Sequence, residues 1–226
     1  MLHLYWGDGK GKTTAAMGLA LRALGHGRRV VILQFLKDGS SGEIEMLRRC
    51  GAVVYACPNA KFTWLMTDAE RAEARRTNTR TLQTILQGSF DLLVLDEATS
   101  GLDPAARSEI LDILLDFIQD ERHSVLLSSH ITTDLEQIAD TIAYLHHGQL
   151  LFAKNKDDLM EEYGILRCSQ QDLDRLPPEW IAATCRTAAG CESLVHPRVS
   201  VLRALPGVVC DAASIDDIMR LTSKEG

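Results

Sequence analysis

No run of apolar residues in this chain of 226 approaches the length needed to cross a bilayer; Leu92 to Leu95 and Val125 to Leu127 are only strand-sized. Basic residues are not in excess either. Lys and Arg number 24 against 31 Asp and Glu, for a net charge of −7 and a pI near 5.5, which argues against a surface that coats nucleic acid. The six cysteines, Cys50, Cys57, Cys168, Cys185, Cys191 and Cys210, show no C-x-x-C spacing and no paired metal-ligand pattern. They read as reduced thiols used mostly in packing. Repeats and low-complexity segments are lacking as well. What is left is an ordinary globular composition, 46% apolar and 24% charged, long enough for one domain with a sizeable core plus an appendage.

The most informative stretch lies near the amino terminus, where the short apolar run Leu2 to Tyr5 leads into Trp6-Gly7-Asp8-Gly9-Lys10-Gly11-Lys12-Thr13-Thr14 and then a helical pattern from Thr13 to Leu24. A strand, a glycine-rich turn and a helix in that order form a phosphate-binding loop. The glycines let consecutive N–H groups turn inward toward phosphate oxygens, and the helix N-terminus adds positive potential. Lys12 would place its ammonium on the outer phosphates, and the Thr13 hydroxyl would ligate Mg²⁺. The usual pattern has a glycine five places before Gly11; this chain has Trp6 there, with Gly7 one place later. Because the loop starts at the sixth residue it leaves no room for a secretion signal, so a cytoplasmic location is expected.

A second anchor is Asp91-Leu92-Leu93-Val94-Leu95-Asp96-Glu97, an apolar strand ending in adjacent carboxylates. In a nucleotide-binding fold this is the Walker B arrangement. Asp96 would hold the Mg²⁺ shell, while Glu97 can orient or deprotonate an attacking water. Between the anchors, Val30 to Phe35 has the continuous apolar character of a strand buried on both faces, and it ends in a polar turn from Lys37 to Gly42. Ligands of α/β sheets sit at such strand ends, which makes Gln34 and Lys37 candidate site residues. Gln34 reads equally well as a strand-end side chain satisfied by backbone. Glu43 to Arg49 is expected as a short helix, Ala52 to Ala56 as a strand, and a long helix should open at Thr67-Asp68-Ala69-Glu70, with capping-box spacing, and close at Gly88. Lys61 to Met66 is aromatic where a loop is normally polar.

Beyond Glu97 an amphipathic helix is expected from Ala105 to Gln119, then a buried strand ending in Ser128-Ser129-His130. His130 could reach a γ-phosphate or an attacking water, or be an ordinary polar strand end. Asp134 to Asp140 reads as helical. Thr141 to Leu145 and Gln149 to Ala153 read as a hairpin around His146-His147-Gly148, a doublet better suited to a turn than to a metal. Asn155 to Tyr163 reads as a charged helix ending at Gly164. Residues 165–226 alternate short strands and helices without a catalytic constellation.

Two resemblances rest on these residues. Residues 1 to about 97 resemble the ATP:corrinoid adenosyltransferases through Gly7 to Ala16, Arg22-Ala23-Leu24-Gly25, Gln34-Phe35-Leu36-Lys37, Phe62-Thr63-Trp64 and Leu95-Asp96-Glu97. In that family the short phosphate loop is normal. The resemblance implies that Phe62 and Trp64 press against the corrinoid (cobalamin), strip its lower axial ligand and ease reduction to Co(I), which attacks the ribose 5′ carbon of ATP and releases triphosphate. From about residue 91 the chain is similar to ABC-transporter ATP-binding subunits, through Leu92 to Pro104, Ser128-Ser129-His130, Asp134 to Asp140 and the hairpin that follows. The Leu-Ser-Gly-Gly-Gln signature of that family is absent; Thr79 to Gly88 occupies its place.

The chain therefore reads as a splice of two P-loop proteins at a shared Leu-Asp-Glu strand. The expected fold is α/β, a RecA-like P-loop NTPase with a mostly parallel sheet flanked by helices in residues 1–153 and a small α+β appendage in residues 154–226. The expected site comprises Gly7, Asp8, Gly9, Lys10, Gly11, Lys12, Thr13, Thr14 and Gln34 for ATP, with Phe62 and Trp64 for the corrinoid. Thr13 and Asp96 are assigned to Mg²⁺, and Lys12, Glu97 and His130 to catalysis. Adenosyl transfer is the first expectation. An ABC-type ATPase working on a membrane permease is the second, and nucleotide binding without turnover the third. A homodimer is expected, with no nucleic-acid partner.

Overall fold

The computed structural model describes residues 1–7, 10–35, 37–56, 66–97, 104–129, 138–187 and 190–222. The chain divides into two compact units, Met1–Ala153 and Lys154–Gly226.

The first unit is built on a seven-stranded sheet. Its strands are β1 (Leu2–Trp6), β2 (Val30–Gln34), β3 (Val53–Ala56), β4 (Leu92–Asp96), β5 (Val125–Ser129), β6 (Thr141–His146) and β7 (Gln149–Asn155), in the order β3-β2-β4-β5-β1-β6-β7. The pairings from β3 through β6 are parallel. Parallel strands covered on both faces need continuous apolar sequence, and β4 and β5 are buried at every position. Leu93, Val94 and Leu95 are fully buried, each contributing about 1.5–3 kcal/mol of transfer free energy.

Among the described residues four helices accompany this sheet: α1 (Lys12–Gly25), α2 (Gly42–Arg49), α3 (Asp68–Leu86) and α4 (Pro104–Ile118). In α1 the helical spacing of Ala16, Met17 and Ala20 gives an apolar stripe that packs with Val30, Ile32, Val94 and Leu126. The predicted capping box forms at α3: the Thr67 side chain accepts from the Glu70 N–H, and the Glu70 carboxylate accepts from the Thr67 N–H. In α4 the buried side is Ile110, Leu111 and Leu114. Ile138 to Asp140, the described end of the helix expected from Asp134, is turn and bend rather than helix.

The second unit contains α5 (Lys156–Glu162), β8 (Gly164–Cys168), α6 (Gln170–Leu173), β9 (Ile181–Thr187), β10 (Gly190–Val195), α7 (Arg198–Ala204), β11 (Val209–Ala212) and α8 (Ile215–Thr222). Its four strands pair antiparallel in the order β11-β8-β10-β9. From β8 to β11 this is the split β-α-β arrangement of ferredoxin-like folds. The charged helix expected from Asn155 forms as α5, with Asn155 as its N-cap and Tyr163 as its C-cap; Gly164 then opens β8, where a Cβ would lie 2.7 Å from the Cys210 sulfur. Cys191 and Cys210 are buried in this unit's core, and the five described cysteines are free thiols.

An ion pair ties the start of β2 to the start of β4. Asp91 accepts from the Arg29 backbone N–H at 2.8 Å and from its guanidinium at 3.0 Å, and these bonds bring the carboxyl down to about 2. A depressed carboxyl adds stability that is complete above its unfolded value near 4 and disappears as pH falls through about 2. An NMR titration should therefore place Asp91 near 2 in low salt and higher at 1 M salt, since the pair is exposed. A value near 4 at low salt would contradict the pairing.

Candidate nucleotide site

The site forms at the C-terminal ends of the parallel strands, where β5 separates the strand that enters the loop from the strand that ends in Asp96. Trp6 is the last residue of β1, in register with Tyr144, and the two rings pack with centroids 4.7 Å apart. The unusual tryptophan thus belongs to the strand, and the turn proper starts at Gly7. Gly7 has φ +142, and a Cβ there would meet the Leu145 carbonyl oxygen at 1.6 Å. Gly11, at φ +125, precedes α1. Among the described residues no side chain caps this helix, and its first turn holds no acid, which suits an N-terminus that takes an anion from outside the protein.

Lys12 is buried and its ammonium donates to the Gly7 carbonyl at 2.6 Å, folding the side chain back along the loop. Lys10 and Thr14 are exposed. Asp8, Gly9, Phe62, Trp64 and His130 lie outside the described residues.

Sheet register supplies the rest. Gln34, Asp96 and Ser128 stand opposite one another across β2, β4 and β5, which puts three polar side chains in one row where the apolar runs end. Asp96 is buried and accepts on both oxygens. Thr13 Oγ1 donates to Oδ1 at 3.0 Å and Ser128 Oγ at 2.6 Å; Lys37 Nζ donates to Oδ2 at 2.8 Å and Gln34 Nε2 at 3.0 Å. Burial pushes the Asp96 carboxyl upward, but bonds from Lys37, Ser128 and Gln34 outweigh it and hold the group below the ordinary carboxylate value. Gln34 Oε1 is buried without a hydrogen-bond partner.

Lys37 Nζ also donates to Thr13 Oγ1 at 3.0 Å. One ammonium therefore bridges a hydroxyl and a carboxylate, so this oxygen pair already accommodates a cation. Hard oxygen donors of this kind, one neutral and one anionic, suit Mg²⁺, with phosphate oxygens and waters completing the octahedron. Among the described residues no group of three or more His, Cys, Asp or Glu could hold a metal; His146 ends β6 and His147 sits on the β6–β7 turn. Glu97 follows Asp96 with φ 59, a left-handed conformation uncommon for a side-chain-bearing residue. Its N–H is directed at Ser128, 3.1 Å from the carbonyl oxygen and 3.2 Å from Oγ. Ser128 is the residue that sequence reasoning passed over in favour of His130. The available signal was a hydroxyl directly after the apolar run Val125 to Leu127.

A parallel α/β sheet with a glycine loop leading into α1 and a buried aspartate facing Thr13 is the architecture of a P-loop nucleotide-binding protein. Comparison with known proteins narrows this further. The family ATP:corrinoid adenosyltransferase BtuR/CobO/CobP matches residues 1–157, and the chain belongs to that family. It is 30% identical to the corrinoid adenosyltransferase of Escherichia coli K12 over 151 residues, covering 64% of this chain and 76% of that protein. Identity to the Pseudomonas aeruginosa corrinoid adenosyltransferase is 37% over 106 residues, covering 45% of this chain and 52% of the relative. The C-terminal region shows weak, inconsistent similarity to ATP-binding proteins of ABC transporters. Among such relatives the bacitracin transport ATP-binding protein BcrA of Enterococcus faecalis is 39% identical over 69 residues, covering 30% of this chain and 22% of its own length. The family match thus runs past Glu97 to the end of the first unit, and residues 158–226 lie beyond it.

Proposed function

We propose that this chain binds Mg-ATP in its first unit and transfers the adenosyl group to a reduced corrinoid, releasing triphosphate. The observation that carries the reading is the Thr13–Asp96–Lys37–Gln34 cluster at the foot of α1, in a chain whose family performs this transfer. Loop amides from Gly7 to Thr14 and the Lys12 ammonium would grip the polyphosphate. Thr13 and Asp96 would hold Mg²⁺, which supplies positive charge to the leaving triphosphate. Gln34 brings its free carbonyl oxygen to the same spot. Phe62 and Trp64 would press on the corrinoid. The reduced cobalt donates its electron pair to the ribose 5′ carbon as the bond from that carbon to the triphosphate oxygen breaks.

A second reading is ATP hydrolysis of the transporter type on behalf of a membrane permease, with Glu97 and His130 activating water. It draws on the adjacency of Glu97 to Asp96 and on the transporter-like similarity. Against it, Thr79 to Leu86, where that class carries its signature loop, lies inside α3. Product analysis separates the two: inorganic triphosphate formed only with reduced corrinoid supports transfer, whereas ADP and phosphate formed without it support hydrolysis. In the same assay Phe62→Ala and Trp64→Ala should abolish corrinoid-dependent turnover while leaving ATP binding intact. Undiminished turnover would remove the pair from the site.

A further inference from the structure

We propose that Ser128 is a positioning residue: it aims the Asp96 carboxylate toward Thr13 and pins Glu97 in its left-handed turn. The proposal rests on the Mg-ATP reading above. Ser128 sits fully buried at the end of β5, directly after Val125, Leu126 and Leu127, where a hydroxyl is tolerated only if it is hydrogen-bonded. It is bonded on both sides. The Glu97 N–H points at Ser128 Oγ, and the Ser128 hydroxyl donates to Asp96 Oδ1 at 2.6 Å, so a two-step relay runs from the backbone after the strand back to its terminal carboxylate. Relays of this kind polarise and strengthen one another inside a protein.

The relay settles two choices that β4 alone leaves open. A carboxylate at a strand end can rotate about its last bond, and Thr13 and Ser128 hold Oδ1 from two directions while Lys37 and Gln34 hold Oδ2. Glu97 adopts φ 59, which an L-residue takes up only when its surroundings over-determine it. The bonds from its N–H to Ser128 supply that constraint, and they set where the Glu97 side chain leaves the backbone.

The test uses the full chain, with ATP titrated calorimetrically in Mg²⁺ and again in EDTA, for the parent, Ser128→Ala and Ser128→Thr. A lost hydrogen bond to a charged group predicts that Ser128→Ala weakens Mg²⁺-dependent binding by about tenfold or more. Affinity in EDTA should stay within about twofold, because the loop amides and Lys12 are untouched. Ser128→Thr keeps the hydroxyl and should recover most of the loss. The proposal is overturned if Ser128→Ala binds Mg-ATP like the parent, if it loses affinity equally in EDTA, or if Ser128→Thr stays at the alanine level. A parent chain with no Mg²⁺-dependent binding at all would instead bring down the Mg-ATP reading, and the role of Ser128 with it.

Discussion

Replacing Gly7 with alanine is expected to remove a large share of the stability of the first unit. The new methyl group would lie 1.6 Å from the Leu145 carbonyl oxygen and 2.7 Å from its carbon. Those atoms are backbone, and β6 is locked in register to β1 through Tyr5–Ala143 and Trp6–Tyr144, so the clash has no flexible side chain to absorb it. The φ of +142 adds strain that any L side chain would feel. Together these predict a loss of about 4 kcal/mol or more, a large share of the roughly 5–15 kcal/mol that holds a typical domain together. Gly27→Ala is the matched control. It has φ +70 but nothing within 4 Å, so only the backbone term applies, about 1–2 kcal/mol. Urea denaturation of the two variants should show this gap. A Gly7→Ala protein as stable as the parent would mean that Gly7 does not lie against β6 at Leu145.

The second large effect is expected at Asp96. Asparagine keeps the shape but exchanges one acceptor oxygen for an NH₂ facing donors, and it leaves the Lys37 ammonium without its carboxylate partner. Stability should fall by about 1.5–3 kcal/mol, the range for a lost hydrogen bond to a charged group, because Lys37 is 39% exposed and water takes over part of its solvation. Mg²⁺-dependent ATP affinity should fall by about 100-fold or more, because the only carboxylate beside Thr13 is gone among the described residues. The pH dependence gives an independent check. Asp96 is held below its unfolded value, so its contribution is present above the ordinary carboxylate range and is lost as pH falls through the lower folded value. Acid unfolding of Asp96→Asn should accordingly be shallower than that of the parent. Parallel acid limbs would show that folding does not lower the Asp96 carboxyl.

The first unit was largely readable because both of its signals are local. Strands such as Leu92–Asp96 and Val125–Ser129 announce burial on two faces by continuous apolar sequence, and the glycine spacing before Lys12 reports a turn whatever surrounds it. The Thr67–Glu70 box was legible for the same reason. What could not be read was register. Nothing in the order of residues says that Gln34, Asp96 and Ser128 align across three strands, so Gln34 stayed ambiguous and Ser128 went unnoticed beside His130. Trp6 looked like a defect in a glycine pattern because its ring partner, Tyr144, lies on a strand far along the chain. In the second unit β9, β10 and β11 are short and mixed in polarity, which shows alternation without showing which strands pair.

A polyphosphate gripped at the start of α1, with a cation shared between Thr13 and Asp96, is the feature on which the proposed chemistry depends. Calorimetric titration of ATP into the folded full-length chain, with Mg²⁺ and then with EDTA, tests this most directly. The account predicts a saturable, one-site heat that is large with Mg²⁺ and much weaker without it. Equal heats under both conditions, or none under either, would contradict it.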